Sequence, residues 1–202
     1  MDSLKTGDLL IFNNDSFGIK NIASKIIKWA THSNYTHIAI VLKDPYFLHP
    51  HLKGTYVWES GWEPNPDPQD GKMKLGVQIT PLHEIMNDYR KINSHCYLRS
   101  VVCDSEKFST FNLSQIHDVV YRKPYDICPM DWVESFLQKD FQPQKTSRFW
   151  CSALVGYIYT KCGILEQDTD WTIMRPSDFS LDGEKLSFQK GCSLSNVQTR
   201  IF

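Results

Sequence analysis

Cys151 opens an apolar segment, residues 150–159, in which Ala153, Leu154, Tyr157 and Ile158 fall on one helical side. Ser147, four residues earlier, is the expected N-cap, and Arg148 lies beside it. A helix N-terminus carries partial positive charge and unpaired N–H groups, which favour a thiolate over a thiol. The same N–H groups can receive the oxyanion that forms when a thiolate attacks a carbonyl. A small buried residue at a helix start would suit the position equally. The other five cysteines, Cys96, Cys103, Cys128, Cys162 and Cys192, lack such a placement and read as ordinary reduced thiols. No pair has CxxC spacing, so neither a closed zinc site nor a dithiol motif is expected.

A nucleophilic thiol needs a base, and a base needs an orienting group. Of seven histidines, His37 is the one at the entry to a dense β-branched run, residues 36–42, where a rigid strand can aim an imidazole. Glu59 follows Tyr56, Val57 and Trp58 on the next expected strand. A carboxylate within an apolar strand is costly unless paired, and holding an imidazole is one way to pair it. Each residue also has a plainer reading: His37 as a satisfied core residue, Glu59 as the solvent face of an edge strand. His49 and His51 flank Pro50 without an acid cluster, so no metal is expected. With no Gly-rich phosphate loop, no cofactor is expected either.

The elements that must position these residues follow from hydrophobic periodicity. Strands are expected over residues 7–12, 36–42, 55–60, 76–80 and 97–103, with another near 186–188. Ile19, Ile22, Ala23, Ile26, Ile27 and Ala30 have helical spacing, ended by Ser33 and Asn34. Thr80 and Pro81 resemble an N-cap followed by proline at the first helical position, opening a helix to about Arg90. Phe108, Phe111, Ile116, Val119 and Val120 suggest a helix closed by Pro124, and Met130, Val133, Phe136 and Leu137 suggest another. Strands early and helices late point to α+β. Residues 63–71, with three prolines at alternate positions, are expected as a long surface loop, an insertion within one domain spanning 1–202.

Composition narrows the class of partner. The chain has 202 residues, 22 Lys+Arg and 23 Asp+Glu, for a net charge of −1. A balance near zero supplies no field to gather phosphates, so nucleic acid is not an expected partner. The longest apolar runs, residues 38–42 and 153–159, are far shorter than the roughly 18–20 needed to span a bilayer. The opening residues lack a basic stretch followed by an apolar one, so a cytoplasmic location is expected.

Taken in order, the chain runs through a GDLLIF strand, a helix, residues 35–41 (YTHIAIV) and residues 57–60 (VWES), then residues 123–126 (KPYD) and 149–155 (FWCSALV). This resembles the circularly permuted papain-like hydrolases of the NlpC superfamily, in particular the YiiX/YaeF-like group, with the lecithin:retinol acyltransferase group more distant. The likeness spans residues 7–159. It implies an antiparallel sheet packed against helices, with the nucleophile at a helix N-terminus. It also implies Cys151 as nucleophile, His37 as general base and Glu59 as the group that holds the imidazole. Tyr125 matches a tyrosine that recurs before the nucleophile helix, in a structural or substrate-binding role. Tyr35, two residues before the histidine, is a candidate oxyanion donor or a packing residue. The implied function is a cysteine hydrolase cleaving a peptide or isopeptide amide through a thioester. A lipid-ester hydrolase or acyltransferase on the same triad and a non-catalytic binding module are the alternatives. The expected partner is thus a small peptide, amide or lipid acyl substrate. Such proteins occur in bacteria and large DNA viruses, which extends the expected location to a virion or host cytoplasm.

Overall fold

A computed structural model of the protein describes residues 4–13, 35–126, 146–183 and 186–202. The helices expected over residues 19–30 and around Met130 to Leu137 lie outside the described residues, as do Ser33, Asn34 and Cys128. The described chain is α+β. Its strands are β1 (Leu9–Asn13), β2 (Tyr35–Lys43), β3 (Thr55–Trp62), β4 (Leu75–Pro81), β5 (His95–Val102) and β6 (Ser193–Arg200). Its α-helices are α1 (Leu82–Lys91), α2 (Thr110–Val120) and α3 (Cys151–Lys161). The strands form one sheet in the order β4-β3-β2-β1-β5-β6, with every neighbouring pair antiparallel.

Side chains alternate across a strand, so β2 serves two cores. Ile38, Ile40 and Leu42 join Leu9, Ile11, Trp58 and Ile79 beneath α3. Ala39 and Val41 join Leu10, Phe12 and Val57 on the opposite face, covered by Leu82, Ile85 and Met86 of α1. A sheet covered on both faces explains the uninterrupted burial from Thr36 to Leu42 and the near-continuous apolar run that made β2 legible. Helix α3 is buried along all but its last residue. At Gly156 an added Cβ would lie 2.6 Å from Met174 Sδ and 2.8 Å from Trp171 Cβ, so glycine permits the 171–174 segment to press against the helix.

Several expected elements take a different form. Thr80 lies within β4 rather than capping α1; Pro81 occupies the cap position and makes no side-chain capping bond. Ser147 does not cap α3, whose N-cap is Trp150 in extended conformation. The segment starting at Phe108 is a 3-10 turn, Ser105–Phe108, and α2 begins at Thr110 behind a Ser109 cap. Its buried stripe is Leu113, Ile116 and Val120, while Phe111 faces solvent. Near residues 186–188 there is a single bridge, Leu165↔Phe188, and the last strand is β6. A strand therefore follows the helices, a few residues later than expected.

The proline-rich segment is pinned from within. Asp67, 1% exposed, pairs with Lys74 Nζ at 2.6 Å and accepts the backbone N–H groups of Gln69 and Ile79. A backbone bridge from Asp67 to Lys72 closes the loop onto itself. Along the outer side of β4, Lys123 and Tyr125 exchange backbone hydrogen bonds with Val77 and Leu75, so the proline at 124 caps that edge. Among the described residues, no helix is long and apolar enough to cross a membrane.

Candidate active site

Cys151 is the first residue of α3 and is 4% exposed. The segment leading to it is fixed by main-chain bonds: Ser60 Oγ donates to the Phe149 carbonyl at 2.6 Å, and Phe149 N–H donates to the Pro124 carbonyl at 3.1 Å. The next residue, Ser152, donates to the Met174 carbonyl at 2.7 Å. Trp150 places no side-chain acceptor on the first-turn N–H groups of α3. These donors, normally satisfied by a capping oxygen, point out of the helix beside the thiol. The Trp150 indole N–H is buried and has no hydrogen-bond partner among the described residues.

His37 comes from β2 and Glu59 from β3. The ladder between these strands runs from Lys43↔Thr55 to Ile40↔Trp58 and stops there, with Glu59 one residue and His37 three residues past its last pair. His37 Nε2 meets Glu59 Oε2 at 2.6 Å, with Glu59 fully buried. Thr80 Oγ1 donates to the other carboxylate oxygen, Oε1, at 2.5 Å. The imidazole is packed by Phe12 and by Tyr89 of α1, whose ring is stacked at 19° with centroids 6.1 Å apart. On its other side the Cys151 sulfur lies near enough to act on its charge. Since Nε2 is held by Glu59, Nδ1 is the nitrogen left for the sulfur.

Electrostatics follow from this arrangement. Burial by itself lowers the pKa of His37. The hydrogen bonds and charges of Cys151 and Glu59 outweigh burial and hold the imidazolium up to about 10. An imidazolium beside a thiol places a positive charge next to the sulfur. Two tyrosines feel that sulfur's charge, Tyr125 and Tyr89, and burial together with neighbouring anions pushes both hydroxyls well above the usual phenol range. Each is therefore a neutral O–H donor. Glu63, in the proline-rich segment, is 7% exposed, and desolvation followed by the charge of Glu59 raises its carboxyl to about 8.

The structure thus brings Cys151, His37 and Glu59 together and sets Tyr125 close by. Tyr35 is placed elsewhere. The β1–β2 register shifts between Phe12 and Asn13, pairing Phe12 with His37 but Asn13 with Tyr35. That bulge turns Tyr35 to the α3 face, where its hydroxyl accepts from Gln198 of β6 at 2.8 Å. Sequence reasoning missed Thr80, Tyr89 and Glu63. Thr80 carried a usable signal, since an alternating polar residue on β4 can share a sheet face with Glu59. Among the described residues, no group of three or more His, Cys, Asp or Glu side chains is arranged to hold a metal ion. The sequence matches no protein-family model and no curated protein.

Proposed function

We propose that the protein is a cysteine hydrolase that cleaves an amide, peptide or isopeptide, through a thioester on Cys151. The observation that carries this reading is the continuous chain Cys151–His37–Glu59–Thr80, in which each polar group faces its neighbour within a buried site. The order of histidine strand, glutamate strand and cysteine helix supports reading the fold as permuted papain-like.

In the proposed cycle the proton rests on His37 and the negative charge on the sulfur. The sulfur attacks the substrate carbonyl, and the first-turn N–H groups of α3 receive the oxyanion. As the tetrahedral intermediate collapses, His37 protonates the departing amine and a thioester remains. Water then enters, His37 takes its proton, hydroxide adds to the thioester, and the sulfur departs to regain its starting state. Glu59 keeps Nδ1 aimed at the sulfur and offsets the imidazolium charge; Thr80 fixes Glu59.

The test is hydrolysis of a panel of short acyl-peptide amides by the full chain and by Cys151→Ala. Base catalysis and oxyanion stabilisation each supply roughly 10²–10³-fold, so the variant is expected to lose all measurable turnover. Unchanged turnover in Cys151→Ala overturns the reading. Turnover on phospholipid vesicles but not on the amides transfers the same triad to ester chemistry.

A further inference from the structure

Three of the cysteines gather at the far end of α3, more distant from the proposed chemistry. Cys162 caps that end of the helix, and Cys192 Sγ lies 3.7 Å from the carbonyl of the adjacent Gly163. Cys103 completes the group, since its charge is felt by Cys162 and it feels that of Cys192.

Two of the three are set opposite each other by the sheet. The β5–β6 ladder pairs Val101 with Leu194 and Val102 with Ser193; Cys103 and Cys192 are the residues just past that last pair, one beyond the end of β5 and one before the start of β6. Val101 and Leu194 point inward and are buried, whereas Val102 points outward and is 52% exposed. Alternation therefore turns both Cys103 and Cys192 inward, and both pack against the same edge of the core while remaining partly accessible. Directly opposed residues on antiparallel strands hold their Cβ atoms about 4.5–5.5 Å apart. A disulfide needs about 3.5–4.5 Å. At the open end of a ladder, a shift below one ångström closes that difference. Cys162 lies deeper, at 4% exposed, and presents no strand partner.

We propose that Cys103 and Cys192 form a reversible cross-strand disulfide, made by thiol–disulfide exchange with a small disulfide of the oxidised-glutathione class. The thiolate of one cysteine attacks the small disulfide, forming a mixed disulfide and expelling one glutathione thiol. The second cysteine, as thiolate, attacks the protein sulfur of that mixed disulfide and expels the second glutathione thiol. Both protein protons end on the two released thiols, and the two electrons lost by the cysteines reduce the glutathione disulfide. Burial and then the neighbouring Cys192 raise the Cys103 thiol, and Lys5 and Lys107 oppose them only in part. The bond ties β6, an edge strand, to the central part of the sheet. It does not involve Cys151 and stands whether or not the protein is a hydrolase.

The test is incubation of the full reduced chain with oxidised glutathione, followed by alkylation of the remaining thiols and peptide mapping without reductant. A linked Cys103–Cys192 peptide that disappears on reduction is expected, with those two cysteines lost to alkylation in the intact monomer. Cys103→Ser and Cys192→Ser each abolish it, while Cys162→Ser leaves it in place. The proposal is overturned by single glutathione adducts without a cross-link. A bond to Cys162 or Cys128, or a bond between two chains, overturns it as well.

Discussion

The two ends of α3 carry cysteines of equal burial and opposite chemistry. Cys151 and Cys162 are each 4% exposed, and one helix holds both. At the first end the thiol faces an imidazolium at the start of a helix whose N-cap makes no side-chain capping bond. At the second end, Cys162 sits where helix carbonyls gather, its own N–H donating to the Ile158 carbonyl at 2.8 Å. Burial, then the neighbouring Cys103, pushes its thiol up to about 12, with Lys107 only partly opposing. Burial therefore does not decide the character of a thiol. What surrounds the sulfur, and which end of the helix dipole it meets, decides it.

The largest expected contrast is in alkylation. At pH 7 a thiol held near 12 is thiolate in only about 10⁻⁵ of molecules. Cys151 should react with iodoacetamide on the order of 10²-fold faster than Cys162, as read by time-resolved peptide mass spectrometry at pH 6–7. Equal rates at the two ends would erase the distinction.

Glu59→Gln should produce the next effect. Its removal leaves the His37 imidazolium without its buried counter-charge, and breaking such a pair costs about 3–5 kcal/mol. Lower stability in denaturant unfolding is expected together with slower Cys151 alkylation, while Cys162 is unaffected. Stability equal to that of the parent chain would show that the ion pair contributes nothing to the site.

The smallest contrast is in pH dependence. His37 is held up to about 10 from an ordinary value of 6.5, so the folded chain binds its proton more tightly. That stabilisation is fully present below about 6.5 and is lost as pH rises through about 10. Glu63, raised from 4.5 to about 8, likewise makes the folded chain bind the proton, and its contribution fades as pH rises from 4.5 through 8. Melting temperature should therefore fall with rising pH. Glu63→Gln should flatten the lower part of that slope and His37→Gln the upper part. A parent slope of the opposite sign would refute both assignments.

How much of this could be read from sequence depends on what each segment has to bury. β2 and β3 are legible because both of their faces meet cores. β6 is not, since Leu194 is its only buried residue and a polar strand at a sheet edge has no apolar alternation to show. Thr80 was misread because Thr-Pro is equally the signature of a helix start, and the demand of Glu59 for a donor outweighs that local preference. Cys151, His37 and Glu59 are legible as types at plausible ends of elements. Of the two roles open to Tyr35 the structure shows packing, because a one-residue bulge reverses its face and leaves no trace in composition.

The two margins of the sheet have a consequence for solubility. An unpaired strand edge is a template on which a second chain can add a strand. On β4 that template is already taken by residues 123–125, whose proline has no N–H to offer a further strand. On β6 the guard is compositional: the strand reads SLSNVQTR, it joins β5 through an irregular register, and Val197 is its one large apolar side chain open to water. On β6 the exposed apolar surface is thus confined to Val197, and a polar residue there would remove it without touching either core.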